Sequence, residues 1–199
     1  KTTLARVIAG LLSPTRGRVR IAGVDVARDR RGALGAVGIL FQNPDHQIIF
    51  PTVGEELAFG LAQMGLPKRE ISERVQATLA QFGKTDWHDA AIHRLSQGQR
   101  QLVCLMAILA MAPKVIILDE PFAGLDIPTA MHLARVLGAT DAALVHITHD
   151  PLTVREYDHA LWIDAGTVRM QGDAAEVGAA YLDTMRELGA RDDLSLLSG

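Results

Sequence analysis

The chain has 199 residues, of which 48% are hydrophobic and only 5% aromatic, and its formal net charge is −3. This length suits one domain with a sizeable core, and the charge gives no basic field that would indicate a nucleic acid as the main partner. The single cysteine, Cys104, excludes an internal disulfide and fits a reducing compartment. We expect it to be an inert core residue. No apolar run reaches the length of about 18 residues that predicts a transmembrane helix.

The N-terminal part of the chain predicts a mixture of helix and strand. Residues 1–12 have apolar side chains at helical spacing, and residues 13–17, Ser-Pro-Thr-Arg-Gly, form a strong stop signal. Near-alternating apolar residues over 19–24 predict a half-exposed strand or hairpin, and residues 35–41 predict a second short strand. Because the sequence begins at Lys1 without an initiator methionine, we expect the protein to extend upstream, with further N-terminal strands and phosphate-loop glycines.

The middle of the chain changes to helical patterns. Residues 55–64 and 68–82 have amphipathic spacing, with a Gly-Leu-Pro break between them. A third helix is predicted to open at residues 95–99, Leu-Ser-Gln-Gly-Gln, with Ser96 as its N-cap. We interpret the segment of about 44–112 as a helical subdomain inserted into an α/β core.

A short apolar run followed by two acids is the most informative stretch. Residues 115–118 are consecutive aliphatic residues, which is typical of a strand buried on both faces of a parallel sheet. Asp119 and Glu120 follow at its C-terminal end, the edge where open α/β sheets bind ligands. Asp119 is placed to hold Mg²⁺ beside nucleotide phosphates, and Glu120 to orient or deprotonate a water. A strand that simply ends in solvated acids explains the pair alone equally well. A helix is predicted from near Pro128.

The C-terminal part predicts another buried strand at 143–147, a hairpin over 161–170, and a tail from Ala174 that is helical at first and then polar. His149 follows the strand at the ligand-binding edge and is a candidate to contact a γ-phosphate and the attacking water. The other histidines show no metal-ligand spacing. His146 lies in mid-strand, where we expect a core side chain.

Three further motifs are weak when they are taken singly. Lys1-Thr2-Thr3 matches the end of a phosphate-binding loop, where ammonium, hydroxyl and amide donors at a helix start favour anions. Gln42 follows a strand end and can bind Mg²⁺ or its water, although a turn residue explains it alone. The amides around Gly98 offer an anion site at a helix start, although an ordinary N-cap is the commoner explanation there.

In combination, these motifs resemble the nucleotide-binding subunit of ABC transporters over nearly the whole chain. The motifs, in order, are Lys1-Thr2-Thr3, Gln42, Leu95-Ser96-Gln97-Gly98-Gln99, Ile116-Ile117-Leu118-Asp119-Glu120-Pro121, Ala123-Gly124-Leu125-Asp126 and Thr148-His149-Asp150. Within that family, residues 41–60 resemble the ATPases of energy-coupling-factor importers, which take up vitamins or Co²⁺ and Ni²⁺ ions.

The resemblance implies an α/β fold with a RecA-like P-loop NTPase core, a parallel sheet, a small antiparallel β part and an inserted helical subdomain. We expect a single ABC ATPase domain over 1–199. Its core would comprise 1–43 and 113–172, its helical subdomain about 44–112, and its C-terminal helical tail 173–199.

The resemblance also implies a two-site ATP sandwich that uses ATP and Mg²⁺. Glu120 would be the base for water and His149 the γ-phosphate contact, and these two form the catalytic set. Lys1 would hold the β- and γ-phosphates. The implied nucleotide-binding residues are Lys1, Thr2, Thr3, Gln42, Ser96, Gly98, Gln99 and Asp126, and the implied Mg²⁺ ligands are Thr2, Gln42 and Asp119.

Part of this set is implied to act across a dimer. Ser96, Gly98 and Gln99 would reach ATP bound to the opposite subunit, and Asp126 would lie at the dimer seam. The usual signature has glycine where this chain has Gln97. We expect a solvent-facing change that leaves Ser96 and Gly98 functional, although hydrolysis can be slower.

The expected function is ATP hydrolysis that powers uptake of a micronutrient, a vitamin such as biotin first and a Co or Ni ion second. The expected partners are a second ATPase subunit, which a homodimer supplies, a transmembrane coupling subunit contacted near Gln47, and a substrate-binding membrane subunit. The protein is expected at the cytoplasmic face of the membrane, and no nucleic acid is expected as a partner. One alternative is an ABC-type ATPase acting on DNA or ribosomes, which the single cassette and the short segment between Gln42 and Ser96 disfavour. Another is a non-hydrolysing ATP-dependent clamp, which the presence of Glu120 and His149 disfavours.

Overall fold

The computed structural model of the chain describes residues 1–190, which form two compact units. The first unit comprises Thr2–Ile147, and the second contains Lys1 and, among the described residues, 148–190. The polar end of the predicted tail, 191–199, lies outside the described residues. The predicted division into core, helical subdomain and tail stays a prediction.

The first unit alternates helices and strands. Its elements are α1 (Thr2–Ile8), β1 (Arg20–Ile21), β2 (Val24–Asp25), α2 (Arg30–Ala36), β3 (Val37–Leu40), α3 (Val53–Gln63), α4 (Lys68–Gln81), α5 (Gln97–Ala110), β4 (Val115–Asp119), α6 (Ile127–Gly138) and β5 (Ala143–Ile147). Single 3-10 turns at Pro44–His46, Thr85–Trp87 and Ile92–Arg94 join some of them.

A parallel sheet in the order β3-β4-β5 lies in this unit, and β4 is its central strand. Ile116 and Ile117 are fully buried and Leu118 is 1% exposed, which confirms the predicted two-faced burial. Leu40 pairs with Leu118 in β4, and Asp119 pairs with Ile147 in β5. The carboxyl ends of all three strands therefore meet at one edge. The predicted hairpin at 19–24 is also present as the antiparallel pair of β1 and β2.

Helix α5 forms the centre of the larger hydrophobic core. Val103, Leu105 and Met106 are fully buried on it, and α3 and α4 pack against it through residues such as Leu57 and Leu79. A smaller hydrophobic cluster packs helices α1 and α2 against β4. Its buried members are Ala5, Val26, Ala33, Val37 and Ile117.

The second unit contains α7 (Pro151–Val154), the antiparallel pair β6 (His159–Asp164) and β7 (Thr167–Asp173), and α8 (Ala174–Ala190). The hairpin and the helical start of the tail were both predicted. Trp162 packs edge-on against Tyr181 of α8, with ring centroids 5.4 Å apart. Among residues 1–190, no helix is both long enough and apolar enough to cross a membrane.

Two short helices were not predicted, and both depend on aspartate caps. Residues 35 and 36 belong to α2 and not to a strand, because Asp29 accepts a hydrogen bond from the Gly32 amide (2.8 Å) and starts a helix there. The glycines at 32 and 35 lower its helix propensity. Asp150 similarly caps α7 through the amides of Leu152 and Thr153.

Two other expectations need correction. Helix α1 ends at Ile8 and not near residue 12, because Gly10 has a φ of +72° and reverses the chain. His146 is half-buried and not a core side chain. Its ring packs edge-on against Phe122, with centroids 5.8 Å apart.

We predict that Ile117→Ala lowers the free energy of unfolding by about 2–5 kcal/mol, because it leaves a cavity between α1 and the central strand. Met131→Ala is the matched control, since Met131 is 60% exposed and its truncation should change stability by less than about 0.5 kcal/mol. Urea unfolding measures both. Equal losses in the two variants would contradict this packing.

Cys104 gives a second prediction. It is 1% exposed, and burial raises the pKa of its thiol to about 12. At pH 8 only roughly one thiol in ten thousand is therefore ionised in the folded protein. An aromatic disulfide reagent should label Cys104 rapidly in urea and very slowly without it. Rapid labelling of the native protein would show that α5 is not packed as described.

Candidate functional site

The two acids after β4 differ in their surroundings. Asp119 is the last residue of the strand and is only 7% exposed. Glu120 follows in the left-handed region with a φ of +49°, which costs a non-glycine residue about 1–2 kcal/mol. Its amide donates to the Ile147 carbonyl of β5 at 3.0 Å. The chain thus leaves the sheet sharply at Glu120, in a backbone conformation that is held by the neighbouring strand.

Gln42 lies at the same edge of the sheet. Leu40 is in register with Leu118, so Gln42 follows β3 as Glu120 follows β4, on strands about 4.8 Å apart. Thr2 and Thr3 are exposed in the first turn of α1, and the buried Ala5 of that helix packs in one cluster with Ile117 of β4. The first unit therefore contains a hydroxyl, an amide and a buried carboxylate among the predicted site residues.

These donors fit Mg²⁺ bound to a nucleotide. Mg²⁺ prefers oxygen ligands and usually takes one or two from the protein, with phosphates and waters completing its shell. Thr2, Gln42 and Asp119 offer only oxygen ligands to a metal. Within residues 1–190, no three His, Cys, Asp or Glu side chains are grouped to hold a metal by themselves.

Lys1 and His149 come together in the second unit. Both line a cavity of about 70 Å³ whose other walls are largely apolar and include Trp162 and Tyr181. His149 is itself exposed. The turn that carries it is fixed by Asp150, whose amide donates to Thr148 Oγ1 at 3.0 Å. Hydrogen bonds from the α7 amides, that of Leu152 above all, lower the pKa of the Asp150 carboxyl, so this cap is ionised at neutral pH.

Ser96 and Gln99 form a capping box at the start of α5, which confirms the predicted N-cap. Ser96 Oγ accepts from the Gln99 amide at 3.3 Å, and Gln99 Oε1 accepts from the Ser96 amide at 2.8 Å. The Ser96 hydroxyl keeps its own hydrogen to donate to an anion. An ordinary helix cap and a phosphate contact are therefore compatible at this residue.

The signature turn packs against the segment that follows the two acids. Gln97 is exposed, as predicted, and its side-chain amide lies against Gly124, where an added Cβ would come within 3.2 Å of Nε2. A Cβ on Gly98 would approach Thr129 Cγ2 to 2.9 Å. Thr129 lies in the first turn of α6, which Asp126 caps by accepting from the Thr129 amide at 2.8 Å. This bond is the main cause that lowers the pKa of the Asp126 carboxyl.

Sequence reasoning missed two residues that organise this region. The contact between Thr129 and Gly98 has no sequence signal, because it depends on how α5 and α6 meet. Gln101 is 1% exposed in α5 and donates to the Phe41 carbonyl at 3.0 Å. A readable signal does exist for Gln101, since it lies one helical turn before the buried Leu105 and is therefore a polar residue on the core face.

We predict that Gly98→Ala disturbs the signature turn, because the new methyl group overlaps Thr129. Melting temperature and ATP hydrolysis should both fall. The double variant Gly98→Ala/Thr129→Ala should recover much of the loss, since truncation of Thr129 removes the methyl group that the new Cβ meets. Asp126 can still cap α6, because it accepts from the backbone amide of residue 129. Thr129→Ala alone is the control. If the double variant is no better than Gly98→Ala, the contact is not the cause of the defect.

Comparison with known proteins agrees with this arrangement. Residues 1–123 match the family model described as ABC transporter. The biotin transport ATP-binding protein BioM of Rhodobacter capsulatus is 50% identical over 188 residues, which cover 94% of this chain and 80% of that protein. The energy-coupling factor transporter ATP-binding protein EcfA of Methanocaldococcus jannaschii is 36% identical over 198 residues, covering 96% and 71%.

Solved structures give the same result. The structure of cbiO1 from Clostridium perfringens, part of the ABC transporter complex cbiONQ, superposes with a TM-score of 0.73 at 33% identity and covers 96% of this chain and 79% of that one. The predicted RecA-like P-loop fold is thereby confirmed. The chain belongs to the ATP-binding subunits of ABC transporters and is an ATPase of that family.

Proposed function

We propose that this ATPase powers uptake of a micronutrient through an energy-coupling-factor type transporter, with biotin as the first candidate cargo and a Co or Ni ion as the second. The main support for the catalytic part is Asp119 and Glu120 at the end of the buried central strand, in register with β5. The support for the cargo class comes from the relatives whose names give biotin transport and energy-coupling factor.

The proposed site holds ATP through its phosphates. The Lys1 ammonium would neutralise charge on the β- and γ-phosphates, and the Thr3 amide or hydroxyl would donate to them at the start of α1. Thr2, Gln42 and Asp119 would hold Mg²⁺, which when bound neutralises charge that develops on the transferred phosphoryl group.

Hydrolysis would need a base and a γ-phosphate contact. The Glu120 carboxylate would take a proton from the attacking water, whose oxygen forms the new bond to the γ-phosphorus while the bond to the β-phosphate oxygen breaks. His149 would donate a hydrogen bond to the γ-phosphate. The position of Glu120 supports this role, because its amide donates to the Ile147 carbonyl at 3.0 Å and holds the residue at the edge of the sheet.

We propose a homodimer as the working form, because the chain carries both the catalytic acids and a signature turn. Ser96, Gly98 and Gln99 would contact ATP held by the opposite subunit, and Asp126 would lie at the seam. Because Ser96 Oγ already accepts one amide hydrogen bond, its hydroxyl is oriented with the hydrogen available for a phosphate oxygen.

A transmembrane coupling subunit would bind the loop after β3, and a separate membrane subunit would bind the cargo, at the cytoplasmic face of the membrane. The buried Glu56 holds this loop, accepting from the amides of Ile49 and Phe50 at 2.9 Å each. Ile49 is 67% exposed and would be available to an apolar helix. Gln47 is half-buried and accepts from the Phe41 amide at 3.3 Å, so its contribution to coupling would be to shape the loop.

The first test is steady-state ATP hydrolysis by the full-length protein in liposomes with its membrane partners. Glu120→Gln should lower kcat by about 10²–10⁴-fold, the usual contribution of a general base, and should trap an ATP-bound dimer. Glu73→Gln is the matched control, because Glu73 pairs with Arg69 on the exposed face of α4. If Glu120→Gln turns over like the wild type, Glu120 is not the base. If the wild type itself does not hydrolyse ATP, the protein acts as a clamp.

The cargo is tested in the same liposomes by the ATP-dependent accumulation of labelled biotin, Co²⁺ or Ni²⁺. We expect biotin to accumulate and the Glu120→Gln vesicles to accumulate none. Accumulation of a metal ion with no biotin uptake would reverse our order of cargoes without affecting the ATPase mechanism.

A further inference from the structure

The loop that carries Gln42 is fastened to helix α5 by a buried side chain. Gln101 is 1% exposed, and its Nε2 donates to the carbonyl of Phe41 at 3.0 Å. Phe41 directly precedes Gln42, and Gln101 lies two residues after Gln99, the last residue of the capping box. A single hydrogen bond therefore joins the residue before Gln42, a predicted Mg²⁺ ligand, to the helix that begins with the signature turn.

The orientation of the Gln101 amide follows from its neighbour. If the amide were turned over, its oxygen would face the Phe41 carbonyl and two acceptors would repel each other. In the orientation found, Oε1 is buried and has no hydrogen-bond partner in the part of the chain that the structure describes. Burial of an unpaired acceptor is unfavourable. A methionine of similar length would avoid burying Oε1, but it would leave the Phe41 carbonyl without this donor. The glutamine is therefore not explained by packing alone.

A second link joins the same loop to the same helical turn. Arg100 Nε lies 3.0 Å from Asp45 Oδ1, although its N–H is not aligned for a hydrogen bond. The other end of that guanidinium donates to the Leu95 carbonyl at 2.8 Å, which holds it at the start of α5. Asp45 lies only three residues beyond Gln42. Two adjacent residues of α5, Arg100 and Gln101, thus contact the loop on both sides of Gln42.

We propose that Gln101 is a positioning residue that couples the two ATP sites of the dimer. The inference rests on the proposed function, in which Gln42 contacts the ATP of its own subunit and Ser96 the ATP of the opposite one. A shift of Gln42 on binding ATP moves Phe41, and the hydrogen bond passes this shift to α5 and its signature turn. ATP in one site thereby sets the position of the signature residues that complete the other site.

The test compares Gln101→Met with the wild type in the full-length protein and its membrane partners. Methionine keeps the length of the side chain and removes the donor. The Kd of the separated subunit for ATP should stay within about twofold, whereas kcat and ATP-driven dimerisation should fall at least about fivefold, the lower range of allosteric coupling. The Hill coefficient for ATP should fall towards one. This split between binding and turnover separates positioning from a loss of the nucleotide site.

Two controls address stability. Ile108→Val removes a buried methylene group from the same helix without touching the link, and should lower the melting temperature with little change in the Hill coefficient. Gln76→Met makes the same substitution at an exposed position of α4 and should behave like the wild type. If Gln101→Met does not fold, Asp45→Asn removes the second link at the surface and should lower cooperativity in the same direction.

The outcomes distinguish this inference from the function on which it rests. A wild-type protein that does not hydrolyse ATP overturns the proposed function. If the wild type hydrolyses ATP cooperatively and Gln101→Met has the same kcat and Hill coefficient, the coupling role is wrong. The proposed function is then unaffected. A Gln101→Met variant that loses activity only in proportion to its loss of stability, with the Hill coefficient of the wild type, also overturns the coupling role.

Discussion

The parallel pairing of β4 with β3 and β5 is the constraint on which the rest of the site depends. Because Leu40, Leu118 and His146 pair across the three strands, the carboxyl ends of the strands and the residues that follow β3 and β4 lie at one edge of the sheet. Ile116 and Ile117 hold the central strand there by burying both of its faces. The same burial makes Asp119 a nearly enclosed carboxylate, which is costly in a protein unless a cation or hydrogen bonds compensate it. A nucleotide-bound Mg²⁺ would supply that compensation.

Helix α5 connects this edge of the sheet to other parts of the first unit. Its buried face forms the centre of the larger core, and its first two turns contact three functional segments. Gly98 packs against Thr129 of α6, Gln97 lies against Gly124, and Gln101 holds the Phe41 carbonyl. A tightly packed core transmits displacements because it cannot absorb them. The signature turn is therefore positioned by the loops that follow the strands, and not only by its own capping box.

The elements that were predicted well are those whose signals are local. The aliphatic run of β4, the alternation in the hairpins and the Ser96 cap are all read from a few neighbouring residues. The bounds of β5 were predicted as they are, but its predicted burial was wrong, because Ala143 and Val145 are exposed and the rest of the strand is only half-buried. Helix α2 was missed because two glycines mask a helix that depends on the Asp29 cap. The contact of Gly98 with Thr129, and the cavity lined by both Lys1 and His149, join residues distant in sequence. The roles of the site residues came from motif order, and the structure supplies the register that brings several of them to one edge.

The central claim, that each ATP site is completed by the opposite subunit, is tested most directly by mixing two inactive variants. One carries Ser96→Arg and the other Glu120→Gln, and each alone should hydrolyse ATP at least about 10²-fold more slowly than the wild type. A mixed dimer contains one site with an intact Glu120 and an intact Ser96 from opposite subunits, so co-purified mixed dimers should regain a substantial part of wild-type activity. If mixed dimers form, as two different affinity tags would establish, and stay as inactive as either variant alone, the signature turn does not act across the dimer and the account is wrong.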